Sequence, residues 1–190
     1  MGWLTMSECR AAKDVHDHVL GPQFCGANLK SVAHFSAAYG RRFWVVFEHV
    51  GGERDGQRFV CLFLVGADRA GWWGYKPVSE DMGPCEVDCP LKYITDLVPE
   101  PANDWSREWR ERVRAFHASK RLQRALAKAV TVGDQLYLKP GCRPAGPLTV
   151  TSARPVCATD GWSTFRIPAR LIQSVVSRAA PGEPTRGTAA

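Results

Sequence analysis

Long apolar runs are missing from this 190-residue chain, and without eighteen such residues in a row no ordinary membrane-spanning helix is expected. Residues Met1 to Ser7 carry neither a basic flank nor a long apolar core, so no secretory signal is read and a cytoplasmic setting is expected. Position 6 is Met, where a myristoylation pattern wants Ser or Thr. G-x-G-x-x-G, a Walker loop, G-x-S-x-G and H-E-x-x-H do not occur, so no cofactor is implied and an enzyme is disfavoured. There is no internal repeat. Acids are the scarcer charge, 19 against 25 Lys and Arg, which leaves a net +6 and a pI near 9.1.

An even cysteine framework is missing too. Seven cysteines in a chain of this length suit a reducing compartment, and most are expected to act as small buried hydrophobes. What is present is an ordinary globular composition, 45% hydrophobic and 23% charged. That is enough for one domain or two small ones.

The positive charge is local. From Asp104 to Val130 eight basic residues face three acids, Asp104, Glu108 and Glu111, a net +5. The segment has no Gly or Pro and is rich in Arg, Ala, Leu and Glu, so it reads as a helix capped by Asn103 or Asp104. Trp105, Trp109, Val113 and Phe116 recur at helical spacing and predict a buried face. Arg107, Arg110, Arg114, His117, Arg121, Arg124 and Lys128 step alternately by three and four, one stripe along roughly 30 Å of helix. Such a stripe can follow a polyanion, each Arg on a phosphate. It can equally be a solvated face opposite a tryptophan-rich core.

Around this helix the pattern predicts an α+β fold. Glu8 to Leu20 reads as a short helix ended by Gly21-Pro22. Strands follow near Ser31–Tyr39, Phe43–Phe47, Phe59–Val65 and Trp72–Lys76, an antiparallel meander, with a short helix at Leu91–Leu97. After the basic helix come a turn feeding a strand over Val132–Leu138, short strands at Leu148–Ala153, Pro155–Thr159 and Trp162–Ile167, and a closing segment Pro168–Ile172. Their spacing, with the V-G-D-x-L-x-L start and F-R-I-P close, predicts a small SH3-like barrel. The expected organisation is an antiparallel-sheet lobe over 1–103, a linking helix over 104–130, the barrel over 131–178 and a disordered tail over 179–190.

One loop gathers polar chemistry between a strand and a helix. It runs from Gly74 to Pro90, and its candidate site residues are Tyr75, Lys76, Glu80, Cys85, Glu86 and Cys89. The C-x-x-x-C pair is one residue wider than the usual zinc spacing, and no second pair matches it, so no metal is assigned. A zinc deaminase is a weaker reading still, since P-C-x-x-x-C is one residue too long for P-C-x-x-C and no H-x-E or C-x-E occurs. Cys89, ahead of a predicted helix, is a candidate low-pKa thiol. Both thiols also suit plain packing. Met1-Gly2-Trp3-Leu4, the G-Y-K at 74–76, the stretch Glu80-x-Met82-Gly83-Pro84-Cys85-Glu86-x-x-Cys89-Pro90 and Trp109-Arg110-x-Arg112 together resemble an uncharacterised family of bacterial plasmid and phage proteins. The resemblance covers most of the chain, with Arg10 to Leu29 departing from it. It implies a mobile-element setting and nothing about catalysis.

The leading expectation is therefore a non-catalytic accessory protein that binds nucleic acid through the helix stripe. The alternatives are an anti-defence protein that binds a host protein or nucleoprotein complex, and an enzyme or metal site using the Tyr75–Cys89 loop. No membrane partner is expected.

Overall fold

The computed structural model describes residues 3–6 and 9–177. The Met1-Gly2 start of the family-like motif and the tail from 179 lie outside the described residues. The fold is α+β, with two five-stranded antiparallel sheets. The chain divides into two compact units, the first ending at His117 and the second beginning at Ala118.

In the first unit the sheet is ordered β1-β5-β4-β3-β2. Its strands are β1 (Leu4–Thr5), β2 (Leu29–Ala37), β3 (Arg42–His49), β4 (Arg58–Ala67) and β5 (Trp73–Ser79). The continuous apolar runs of β3 and β4 are explained by burial on both faces. Phe43, Val45, Phe47, Cys61, Phe63 and Val65 point to one side, where they meet Val15 and Val19 of α1 (Ala12–Leu20) and Cys25 of α2 (Pro22–Cys25). Trp44, Val46, Val60 and Leu62 point to the other, where they meet Cys89, Tyr93, Ile94, Val98, Trp109 and Val113. The alternation of the pleat sends successive side chains to opposite cores. The short helix expected at Leu91–Leu97 is a π-helical turn, Tyr93–Leu97, just after two helical residues.

The long helix α3 spans Asp104–Ala129. Asn103 caps it: its Oδ1 accepts the Ser106 N–H at 2.9 Å, and its own N–H donates to Ser106 Oγ at 2.9 Å. Asn103 Nδ2 also donates to the Asp81 carbonyl, which ties the helix start to the preceding loop. The unit boundary falls inside this helix, after His117, rather than at its two ends.

The second unit holds a sheet ordered β10-β6-β7-β8-β9, made of β6 (Gln135–Leu138), β7 (Leu148–Ala153), β8 (Val156–Thr159), β9 (Thr164–Arg166) and β10 (Ile172–Val176). Leu136, Leu148, Val150, Ala158, Ile167 and Ile172 form its core with Val130 and the half-buried Ala127. The expected barrel is not closed. β9 and β10 are the two free edges, and among the described residues no ladder joins them.

Of the four residues predicted to form the buried helix face, Trp109 and Val113 are fully buried, Phe116 is half-buried and Trp105 is 68% exposed. Trp109 stacks on Trp44 at 5.5 Å, and its Nε1 donates to the Glu86 carbonyl at 2.8 Å. Trp109→Ala is expected to cost about 3–5 kcal/mol, because a large cavity opens and a buried acceptor loses its partner. Trp105→Ala is expected to change stability by less than about 1 kcal/mol. Urea titrations of both variants check the contrast, and equal losses would contradict the placement.

Candidate nucleic-acid interface

The seven-residue stripe does not face solvent as a unit. Arg110 is buried, and its Nε and Nη2 both donate to Glu80 Oε2, at 2.9 and 2.6 Å. Nη1 and Nη2 also donate to the carbonyls of Pro99 and Glu100, each at 2.9 Å. Glu80 Oε1 accepts the Val60 N–H at 3.5 Å. Burial pushes the Glu80 carboxyl above its usual range, and the Arg110 hydrogen bonds and charge oppose that shift. Arg110 is thus withdrawn from any phosphate track. Arg107 is exposed but paired with Asp104, one helical turn back. His117 is half-buried and its Nε2 donates to the Cys89 carbonyl at 2.8 Å.

Arg114, Arg121, Arg124 and Lys128 remain. All four are exposed, and none forms an ion pair among the described residues. Arg121, Arg124 and Lys128 belong to the second unit and sit at helical spacing of three and four. Between Ala118 and Lys128 no acid occurs.

The loop that looked like a site is a clamp for the helix. Glu80 holds Arg110, the Pro84 carbonyl accepts from Arg112 at 2.9 Å, Glu86 accepts from Trp109, and Cys89 accepts from His117. Asp88 accepts from Arg42 at 2.8 Å and from Trp44 Nε1 at 3.1 Å, which fixes the loop to β3. Gly83 has φ +60°, a left-handed conformation, and a Cβ there would lie 3.6 Å from Trp105. The G-P-C-E stretch is therefore shaped to present backbone carbonyls to α3.

The six candidate loop residues do not converge. Tyr75 and Lys76 are neighbours on β5 and point to opposite faces. Tyr75 packs in the α1-side core, where burial raises its phenol pKa. Cys89 packs on the α3 side, fully buried, while Cys85 is exposed. The expected low-pKa thiol is overturned: burial and the nearby Glu80 and Asp88 charges push Cys89 up, against a smaller pull from Arg110. Cys61, in the other core, is pushed up to about 12 by burial. Among the described residues no group of three His, Cys, Asp or Glu side chains could hold a metal.

A cavity of about 1000 Å³ in the first unit is lined by both signs, with Arg54 and Arg58 against Glu80, Asp81, Asp96 and Glu100. Its Arg58 is spent on Glu48 at 2.7 Å. It offers no consistent field to a charged ligand.

Charge does separate by unit. From Ala118 onward eleven Lys and Arg face three acids, a net +8, while residues 1–117 carry fourteen against sixteen, a net −2. The extra cations, among them Lys139, Arg143, Arg154, Arg166 and Arg170, are scattered through short strands and turns where helical spacing reveals nothing. Summing charge across the helix midpoint rather than along the whole helix would have found them.

No family model matches the chain, and no curated protein or solved structure matches it.

Two outcomes follow from the clamp. Arg110→Ala is expected to destabilise by about 3–5 kcal/mol, since Glu80 is left buried and unpaired, and denaturant melting checks this. In native protein, iodoacetamide is expected to label Cys85 within the time in which Cys89 stays unmodified, and unfolding is expected to expose both; peptide mass mapping reads the order.

Proposed function

We propose that this protein is a non-catalytic accessory protein that binds nucleic acid, and that its second unit makes the contacts. Arg121, Arg124 and Lys128 of α3 are the residues assigned to the phosphate backbone. The observation that carries the reading is the run from Ala118 to Lys128, which presents exposed cations with no acid among them. Each cation that neutralises a phosphate releases condensed counterions, so binding of this kind weakens steeply with salt and carries little sequence preference. The family resemblance supplies the setting we propose, a bacterial mobile element. No convergent nucleophile, base or metal cluster among the described residues argues for catalysis.

The triple variant Arg121→Ala, Arg124→Ala, Lys128→Ala tests the assignment. Surface changes of this kind cost little, so the variant is expected to keep its fold within about 1 kcal/mol. Duplex binding is to be measured across a salt series from about 50 to 200 mM. The wild type is expected to show a linear fall of log affinity with log salt, and the variant a slope shallower by up to about three. Absence of wild-type binding at about 50 mM salt would remove nucleic acid as the partner and leave an acidic host protein as the target of the same face.

A further inference from the structure

The turn between β8 and β9 presents an indole that nothing covers. Trp162 is 95% exposed and belongs to none of the three cores. Its backbone is nonetheless pinned. Asp160 Oδ1 accepts the N–H groups of Trp162 and Ser163 at 2.9 and 2.8 Å, and Thr159 Oγ1 accepts that of Gly161 at 3.0 Å. Gly161, at φ +96°, supplies the left-handed residue the turn needs. A large apolar ring is thus held out into water on a turn whose backbone is already ordered, so a ligand meets it at low entropic cost.

The surroundings specify the ligand. None of the five strands of this sheet carries an acidic residue. Cross-strand partners share a face, so Thr149, Thr159 and Thr164 lie together on the face opposite the core, with Arg166 two residues further along β9. The two described acids of the unit are engaged locally. Asp134 is buried and accepts the Thr131 N–H, and Asp160 is taken up by the turn. At the far end of β8 from Trp162, a cavity of about 540 Å³ is lined by Arg154, Arg166, Val156, Ile167, Pro168 and Ala127, two cations on an apolar floor. With about 3.3 Å per residue, the four residues of β8 set the two ends roughly 13 Å apart.

An exposed aromatic ring followed by cations along a sheet suits bases with free faces on a flexible anionic backbone. A duplex keeps its base faces stacked inside and offers them nowhere except at its ends. A folded acidic protein supplies the charge, but its aromatic rings are mostly buried, whereas a single strand offers a free base face at every nucleotide. We propose that this sheet holds single-stranded nucleic acid, with one base stacked on Trp162 and the sugar-phosphate backbone led over Arg166 toward Arg154. The proposal rests on the nucleic-acid reading above and narrows it to single strands.

The test uses the full chain and two labelled probes, an oligothymidylate of about 16 nucleotides and a duplex of about 60 base pairs whose interior sites far outnumber its two ends, by fluorescence anisotropy at about 50 mM salt. Wild type is expected to bind the single strand more tightly. Trp162→Ala is expected to weaken single-strand binding by about 5- to 150-fold and leave duplex binding unchanged, while Trp162→Phe keeps most of the affinity. Trp162→Ala binding the single strand as wild type does, or equal losses on both probes, would overturn the stacking site and leave the phosphate reading in place. Failure of the wild type to bind either probe would overturn both.

Discussion

The pairing of Arg110 with Glu80 is the constraint on which the first unit depends. Two full charges sit in a core of tryptophan, valine and isoleucine side chains. Removing such charges from water costs several kcal/mol each, and their mutual attraction offsets that only if the remaining donors are satisfied. Here they are, because Arg110 also reaches the carbonyls of Pro99 and Glu100 while Glu80 takes the Val60 N–H. One guanidinium thereby joins β4, the turn after β5, the segment before α3 and α3 itself. An apolar residue could fill the same volume, but it would not select this register of helix against sheet. Misplacing α3 by one turn would strand both charges.

The same constraint accounts for the four prolines and the left-handed Gly83 in the segment between β5 and α3. Its function is to turn carbonyl groups toward the helix at 84, 86, 89, 99 and 100. Backbone acceptors carry no side-chain signature, so a segment built for them reads as an unexplained motif. The cysteines in it gain a plain account: Cys89 fills a dry site and Cys85 faces solvent.

Much of the fold was legible because its strands obey the simplest rules. β3 and β4 are continuous apolar runs, and β7 coincides with the expected strand at Leu148–Ala153. β1 escaped because two residues cannot show a period. The closed barrel failed because strand spacing indicates a small sheet but not whether its edges meet. The stripe failed for a geometric reason. Setting Trp109 at zero, with about 100° per residue, Val113, Ser106, His117 and Arg110 fall near 40°, 60°, 80° and 100°. That is the buried arc. Trp105, near −40°, lies outside it. Arg121, Lys128 and Arg124 fall near 120°, 100° and 60°, the same arc that is core a few turns earlier. Spacing reports which residues share a face; it does not report whether that face meets protein or water.

Whole-chain charge misleads for a related reason. A net +6 describes no surface a ligand would meet, because a unit at −2 and a unit at +8 are summed in it. At physiological ionic strength the Debye length is about 8 Å, so a ligand responds to the charges near it and not to the total. The first unit also removes its most central arginine from solvent by pairing it internally. The second pairs none of Arg121, Arg124, Lys128, Arg154 or Arg166 among the described residues, and its two described acids, Asp134 and Asp160, are held by backbone N–H groups. Arginine thus does opposite work in the two halves of one helix. Where acceptors of the same chain surround it, the side chain is a structural tie; where acids are absent, it stays exposed and in no ion pair among the described residues. What separates the two roles is the placement of Glu80 and a few carbonyls, not the arginine pattern itself.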